Sequence, residues 1–281
     1  MIPVTIFYIS ISLIIVSLTF LFNFFGKRLV NNYWFWAIPS LLFLIYFIVF
    51  RFYGAWRDLN QFLQTNSIWL GNELNYEDSI IVSKALLLDM CPFVAIALPV
   101  SLILDKTRRI ANAISPFAIL GAGITIPFIA YSDPEAAISF KYFFVGGFLP
   151  IYFFMHLYLL TYGVMVFSNS RNRKWIHLLD CHIFAAIFFG YVCFVSFTTK
   201  TVWNVTGINA NDWESSLGEY NMVSQIFNLP FPSVMVISFL LAYIFVVSIV
   251  SINIYWKKKH QKDFKVIKLK YLKNSKNLKS K

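Results

Sequence analysis

IPVTIFYISISLIIVSLTFLFNFF, Ile2 to Phe25, runs for 24 residues without one charged side chain. A helix of that length rises about 36 Å, enough to cross a hydrocarbon core of ~30 Å. Similar runs recur at Tyr33–Phe50, Ala85–Leu104, Ile110–Tyr131, Tyr142–Ser168, Trp175–Phe197 and Ser233–Trp256. Outer-membrane-type strands are ~10 residues long and alternate in polarity, and these runs do neither. The pattern predicts an all-α polytopic membrane protein. It has a seven-transmembrane-helix bundle over residues 1–256 and a polybasic cytoplasmic tail over 257–281.

Composition supports lipid as the solvent. The chain is 58% hydrophobic and 13% charged, about half the charged share of a soluble domain. Too few polar side chains remain to cover a water-facing surface. The first run has no positive residue before it and no small-residue cleavage site after it, so it reads as a retained helix. Cys91, Cys181 and Cys193 all fall inside apolar runs, and none sits in a loop where an oxidising compartment would pair it.

Charge sorts the connectors into two sets. Lys27, Arg28, Lys106, Arg108, Arg109, Arg171, Arg173, Lys174 and the tail carry 19 of the 24 Lys and Arg residues. Arg51, Arg57, Lys84, Lys141 and Lys200 carry the rest, on the side where Asp58, Glu73, Glu77, Asp78, Asp133, Glu135, Asp212, Glu214 and Glu219 also lie. The positive-inside rule places the first set in the cytoplasm. The expected location is therefore the cell membrane, multi-pass, with the N-terminus outside and the C-terminus inside. Two long outer loops, Phe52–Ser83 and Thr198–Pro232, are expected to hold short interfacial helices capped by Asn or Asp.

The tail holds 11 Lys and one Asp, and the whole chain is +11, so the basicity belongs to the tail. Beside a membrane, anionic lipid headgroups are the expected partner, at ~1 kcal/mol per Lys near the surface. No nucleic acid is expected. A solvated, disordered topology signal is the competing reading.

Ionisable groups at bilayer depth are functional candidates. Cys91 lies 14 residues from Asp105 and His156 lies 15 from Arg171, so both sit ~21–22 Å above the cytoplasmic face. Asp180 and His182 sit in the inner leaflet, a different layer. A thiol needs a base to react, and His156 is the histidine at its level. Against this, cysteine is a common apolar filler and a buried histidine often only bonds a carbonyl. Asp89 faces away from Cys91 on a continuous helix and is expected to pair with Lys84 or Lys141. Pro92 would remove the hydrogen bond to the Leu88 carbonyl and kink the helix beside the thiol. Gly121-Ala122-Gly123 and Gly146-Gly147 read as close helix approaches. No GxGxxG, P-loop or GxSxG motif is present, and no cofactor or metal is called for.

Leu87-Leu88-Asp89-Met90-Cys91-Pro92, with the apolar run to Pro99, resembles the third-helix signature Leu-Pro-Leu-His-Leu-Cys-Asp of the YwaF-like integral membrane proteins. Phe154-Met155-His156-Leu157 resembles their fifth-helix Ser-His segment, and Thr206-Gly207-Ile208-Asn209 their Gly-Thr-Asn turn. The likeness covers about residues 80–255. The Lys-, Asn-, Ile- and Phe-rich usage is similar to that of an AT-rich genome such as a mollicute's. Eukaryotic relatives of that family resemble lipid acyltransferases with a membrane-embedded Cys and His, which the resemblance carries to Cys91 and His156. The family His before the Cys is Asp89 here and its Asp is Pro92.

The leading expectation is acyl transfer or hydrolysis on a membrane lipid by Cys91 and His156. The alternatives are a transporter or substrate-binding membrane protein, in which Asp89, His156 and the loop cluster around Asn209 line a polar cavity, and a non-catalytic membrane scaffold.

Overall fold

The computed structural model describes residues 2–25, 27–64, 66, 74, 76–132, 137–146, 153–169, 174–201, 236–237, 240–256 and 258. All regular structure among them is helical. The elements are α1 (Ile2–Phe25), α2 (Lys27–Val30), α3 (Tyr33–Phe47), a π-helical turn (Ile48–Phe52), α4 (Tyr53–Leu63), α5 (Tyr76–Ala85), α6 (Met90–Leu104), α7 (Arg109–Ser132), α8 (Phe140–Val145), α9 (Phe153–Asn169) and α10 (Ile176–Thr199). A C-terminal apolar helix, α11 (Leu240–Trp256), follows.

Five helical stretches are long and apolar enough to cross a membrane: Pro3–Phe22, Tyr33–Leu63, Asp78–Leu104, Arg109–Pro127 and Ile176–Thr199. The helices Phe153–Asn169 and Leu240–Trp256 are apolar but shorter. This is the helical inventory of a membrane protein. The outer helices leave large apolar side chains uncovered, among them Leu13 and Leu18 on α1 and Ile187 and Phe194 on α10. Water would penalise such surface, and hydrocarbon does not.

α9 is the hub. It is apolar almost all round and buries Phe153, Met155, His156, Leu157, Tyr158, Leu159 and Val164 to Val166, as expected of a helix with protein on every side. It packs most extensively on α7, and also on α1, α8 and α6. Phe43 of α3 stacks on its Tyr158 at 3.6 Å between ring centroids, nearly parallel. Gly163 makes the α7 contact close. A methyl there would lie 3.2 Å from Ala118 Cβ and 3.3 Å from the Ser115 carbonyl oxygen.

One end of the bundle is built from cations on aromatic rings. Lys106 Nζ lies 5.5 Å from the Tyr33 ring, the Arg108 guanidinium 4.9 Å from Trp36, and Lys258 Nζ 5.7 Å from Trp175. The Val30 carbonyl, at the end of α2, accepts from Trp36 Nε1 and Arg108 Nη1. Arg109 clamps Asp180 with two bonds of 2.9 and 2.7 Å, joining α7 to α10. Lys106, Arg108, Arg109 and Lys258 thus gather at one end of the bundle. Asp180 gains there a partner that its own neighbours in sequence do not show.

Three predicted spans differ in outline. The second does not stop at Phe50. It passes through the π-turn into α4, and Tyr33–Leu63 is one helical rod of 31 residues, about 46 Å long. α4 therefore begins without an Asn or Asp cap. It is amphipathic, burying Ala55, Leu59 and Phe62 while Arg57, Asp58, Asn60 and Gln61 face outward. The third span is broken at Leu86–Asp89, and α6 starts only at Met90. The fifth is broken after α8, where Gly146 takes φ 85°. That conformation is open to glycine because it lacks Cβ, so Gly146 ends a helix here.

Candidate functional site around Cys91 and His156

The break at Leu86–Asp89 sets the position of Cys91. Asp89 is the N-cap residue of α6, with extended backbone and no side-chain capping bond. Cys91 is then the second residue of the helix and Pro92 the third. In a first turn the missing N–H of proline has no partner to lose, so Pro92 makes no kink. It marks the helix start. The expectation that Asp89 and Cys91 point apart on one continuous helix falls with it, because Asp89 is not helical. Lys84, in the last turn of α5, feels the charges of Arg51, Asp89 and Asp58. Arg51 is 7% exposed, an ionic neighbour that its place in an apolar run did not reveal.

The Cys91 thiol, in no disulfide, is half-buried and seated on α7. A methyl on Gly121 would come within 2.9 Å of its Sγ, so the absence of Cβ makes the slot. Thr125 Oγ1 lies 3.9 Å from the sulfur while donating to the Gly121 carbonyl at 2.9 Å. Thr125 therefore keeps lone pairs for the S–H. The small-residue stretch at 121–123 hinted at Gly121. Nothing in the sequence pointed to Thr125.

His156 is 3% exposed. It precedes Gly163 by seven residues, two turns, and so lies on the same α7-facing side of α9. The two helices are antiparallel. Gly163 meets Ser115 to Ile119, whereas Phe153, at the start of α9, and Ala137, beyond the end of α7, both reach Tyr8. Two turns from Gly163 brings His156 to α7 near Ala122–Ile126. α6 is unbroken from Cys91 to Leu104 and α9 from His156 to Asn169, whereas Arg171, from which the level of His156 is counted, lies outside the described residues.

The other candidates are dispersed. Cys181 is buried among Ala113, Val250 and Ile254. His182 bonds the Leu178 carbonyl through Nδ1 and the Tyr243 hydroxyl through Nε2. Asn209 and the Asn211–Asp212 cluster lie outside the described residues, as does the tail apart from Lys258. No group of three or more His, Cys, Asp or Glu side chains converges as a metal-ligand set among the described residues. An open groove of about 630 Å³ runs along α4, lined by Tyr53, Trp56, Arg57, Asn60, Gln61 and Gln64.

Two proteins of similar sequence come from mycoplasmas. "Uncharacterized protein MG135" of Mycoplasma genitalium is 32% identical over 174 residues, covering 59% of this chain and 61% of that protein. "Uncharacterized protein MG135 homolog" of Mycoplasma pneumoniae is 31% identical over 156 residues, covering 54% of each. The chain thus spans roughly half to three fifths of the length of these relatives. No solved structure matches it. The match to a family model over residues 10–281 places the chain in the family described as "Family of unknown function (DUF5378)".

Proposed function

We propose that this protein is a seven-span membrane protein of YwaF-like type that transfers or hydrolyses an acyl group of a membrane lipid. Supporting the reading, the Cys91 thiol is seated on α7, the helix on which α9, with its buried His156, packs most extensively, in a bundle that leaves large apolar side chains uncovered. Cys91 Sγ attacks the ester carbonyl as His156 takes the thiol proton. The tetrahedral adduct collapses, the alcohol leaves with that proton, and an acyl thioester remains on Cys91. Water or a second alcohol then attacks the thioester, His156 again accepts and returns the proton, and the thiol is restored. No cofactor enters. The N-terminus lies outside and the Lys-rich tail inside, against anionic lipid headgroups.

The experiment is Cys91→Ala and His156→Ala in the full chain, read by cellular lipid composition and by trapping of a thioester on Cys91. We expect both variants to abolish the change in lipid acyl content, with His156→Ala slowing thioester formation by ~10²–10⁴. Unchanged lipids in both variants would end the enzymatic reading.

A second reading, a transporter or substrate-binding protein, has one observation in its favour. α5 and α6 form a discontinuous helix, with Lys84 and Asp89 at the break, and transporters use such breaks to bind solutes. Solute uptake lost in Asp89→Asn but retained in Cys91→Ala would select it.

A further inference from the structure

The two ends of the rod Tyr33–Leu63 differ in chemistry. Tyr33 and Trp36, at its start, carry Lys106 and Arg108 on their rings. No charged residue lies between Tyr33 and Phe50. Tyr53 follows Tyr33 by 20 residues, about 30 Å along a helix, the thickness of a hydrocarbon core. α4, Tyr53–Leu63, therefore begins where the hydrocarbon ends on the opposite side and runs on into the headgroup layer.

α4 has two faces. Ala55, Leu59 and Phe62 are buried against Val82 and Ala85 of α5. On the other side Tyr53, Trp56, Arg57, Asn60, Gln61 and Gln64 line the open groove of about 630 Å³. They recur at steps of three and four residues, which is one face of a helix. Phe52 braces the Trp56 ring edge-on, with centroids 5.8 Å apart, while Trp56 stays 39% and Tyr53 68% exposed.

The groove is electrically neutral. Arg57 is its one charged lining residue, and its Nε and Nη2 both donate to Asp58 Oδ1, at 3.2 and 3.1 Å. A phosphate or carboxylate ligand would have to displace that carboxylate. The exposed side chains of Asn60, Gln61 and Gln64 form no hydrogen bond among the described residues. Each carboxamide offers an acceptor oxygen and two N–H donors. A purely apolar ligand would strip these groups of water and return nothing. A sugar answers both features, since its hydroxyls donate and accept and its C–H faces lie flat on aromatic rings.

We propose that this face of α4 binds the neutral sugar headgroup of a glycolipid in the leaflet at the α4 end of the bundle. Tyr53 and Trp56, nearest the hydrocarbon, take the C–H faces of the first sugar. Asn60, Gln61 and Gln64, further from the core, take the hydroxyls beyond it. That order, rings and then amides, matches a headgroup standing on its acyl chains, and so assigns the sugar to a lipid. The site is independent of the Cys91 chemistry, and its test does not read acyl transfer.

The test uses the full chain in nanodiscs of phosphatidylcholine doped with a diglycosyl diacylglycerol or with diacylglycerol of the same chains. Native mass spectrometry counts the lipids that stay bound on release. We expect the diglycosyl lipid to be retained in clear excess. Asn60→Ala, Gln61→Ala and Gln64→Ala combined should cut that excess about tenfold or more, since each lost hydrogen bond is worth a factor of about two to ten, while alanine preserves the helix. Equal retention of the two lipids overturns the proposal, because aromatic anchors at an interface would hold both alike. An excess that the triple variant keeps also overturns it, because the sugar then sits elsewhere. Free disaccharide at millimolar concentration should leave retention unchanged, since sharing the membrane gives the headgroup a comparable effective concentration. Displacement by it would make the occupant a soluble sugar and overturn the glycolipid assignment.

Discussion

At Asp105 the chain turns from α6 into α7 within four residues, and one carboxylate organises the turn. Its Oδ1 accepts from the Thr107 N–H at 2.8 Å and from Thr107 Oγ1 at 2.5 Å, and its Oδ2 accepts from the Ile110 N–H at 3.0 Å. Arg108 takes φ 58° to complete it. Burial pushes the Asp105 carboxyl up, but the bonds from Thr107 Oγ1 and from the N–H groups of Ile110, Thr107 and Arg109 outweigh burial and hold it below its ordinary value. A depressed carboxylate contributes stability at pH above its unfolded value, ~3.9, and loses it as pH falls through the folded value. Asp105→Asn should therefore lower the melting temperature at pH 5 and bring it closer to wild type at pH 3. Thermal unfolding in detergent at the two pH values checks this. A gap of the same size at both would show that the charge does not hold the turn.

At the scale of elements, the contact of α7 with α9 carries the candidate site, and glycines show how closely it is fitted. Around Gly163 the nearest groups include backbone, the Ser115 carbonyl, which cannot swing aside. Around Gly121 the nearest group is the Cys91 thiol, which can rotate, and Gly123 has nothing within 4 Å. Gly163→Ala should thus destabilise the protein by about 1–3 kcal/mol, as overpacking does. Gly123→Ala should be neutral or slightly stabilising, since alanine favours a helix over glycine by ~1 kcal/mol. Gly121→Ala should leave stability near wild type while changing the alkylation rate of Cys91. Equal melting temperatures for the Gly163 and Gly123 variants would contradict this account of the interface.

At the scale of the whole molecule, sidedness connects the fold to its partners. The cation–aromatic layer of Lys106, Arg108 and Lys258 lies at the end that the Lys/Arg bias assigns to the cytoplasm. On intact cells, a membrane-impermeant maleimide should label Asn211→Cys above the parent chain's background, and Asn172→Cys only after permeabilisation. A peptide of residues 257–281 should bind anionic vesicles and release as salt rises, because screening shortens the reach of its charges. Labelling of both positions from one side would break the seven-span topology.

The sequence by itself determined that the chain is helical and membrane-bound, because run length and charge scarcity are properties of the solvent each residue prefers. It also predicts a shared level for Cys91 and His156, because rise per residue is constant along an unbroken helix. Only the tertiary structure decided where helices break. At the break Leu86–Asp89, Tyr191 from α10 takes up the Leu86 carbonyl, and a partner over a hundred residues away leaves no local signal. Likewise Gly121 is a slot only because α6 places a sulfur against it. Arg109 and Asp180 are a pair only because α7 and α10 start at the same end of the bundle.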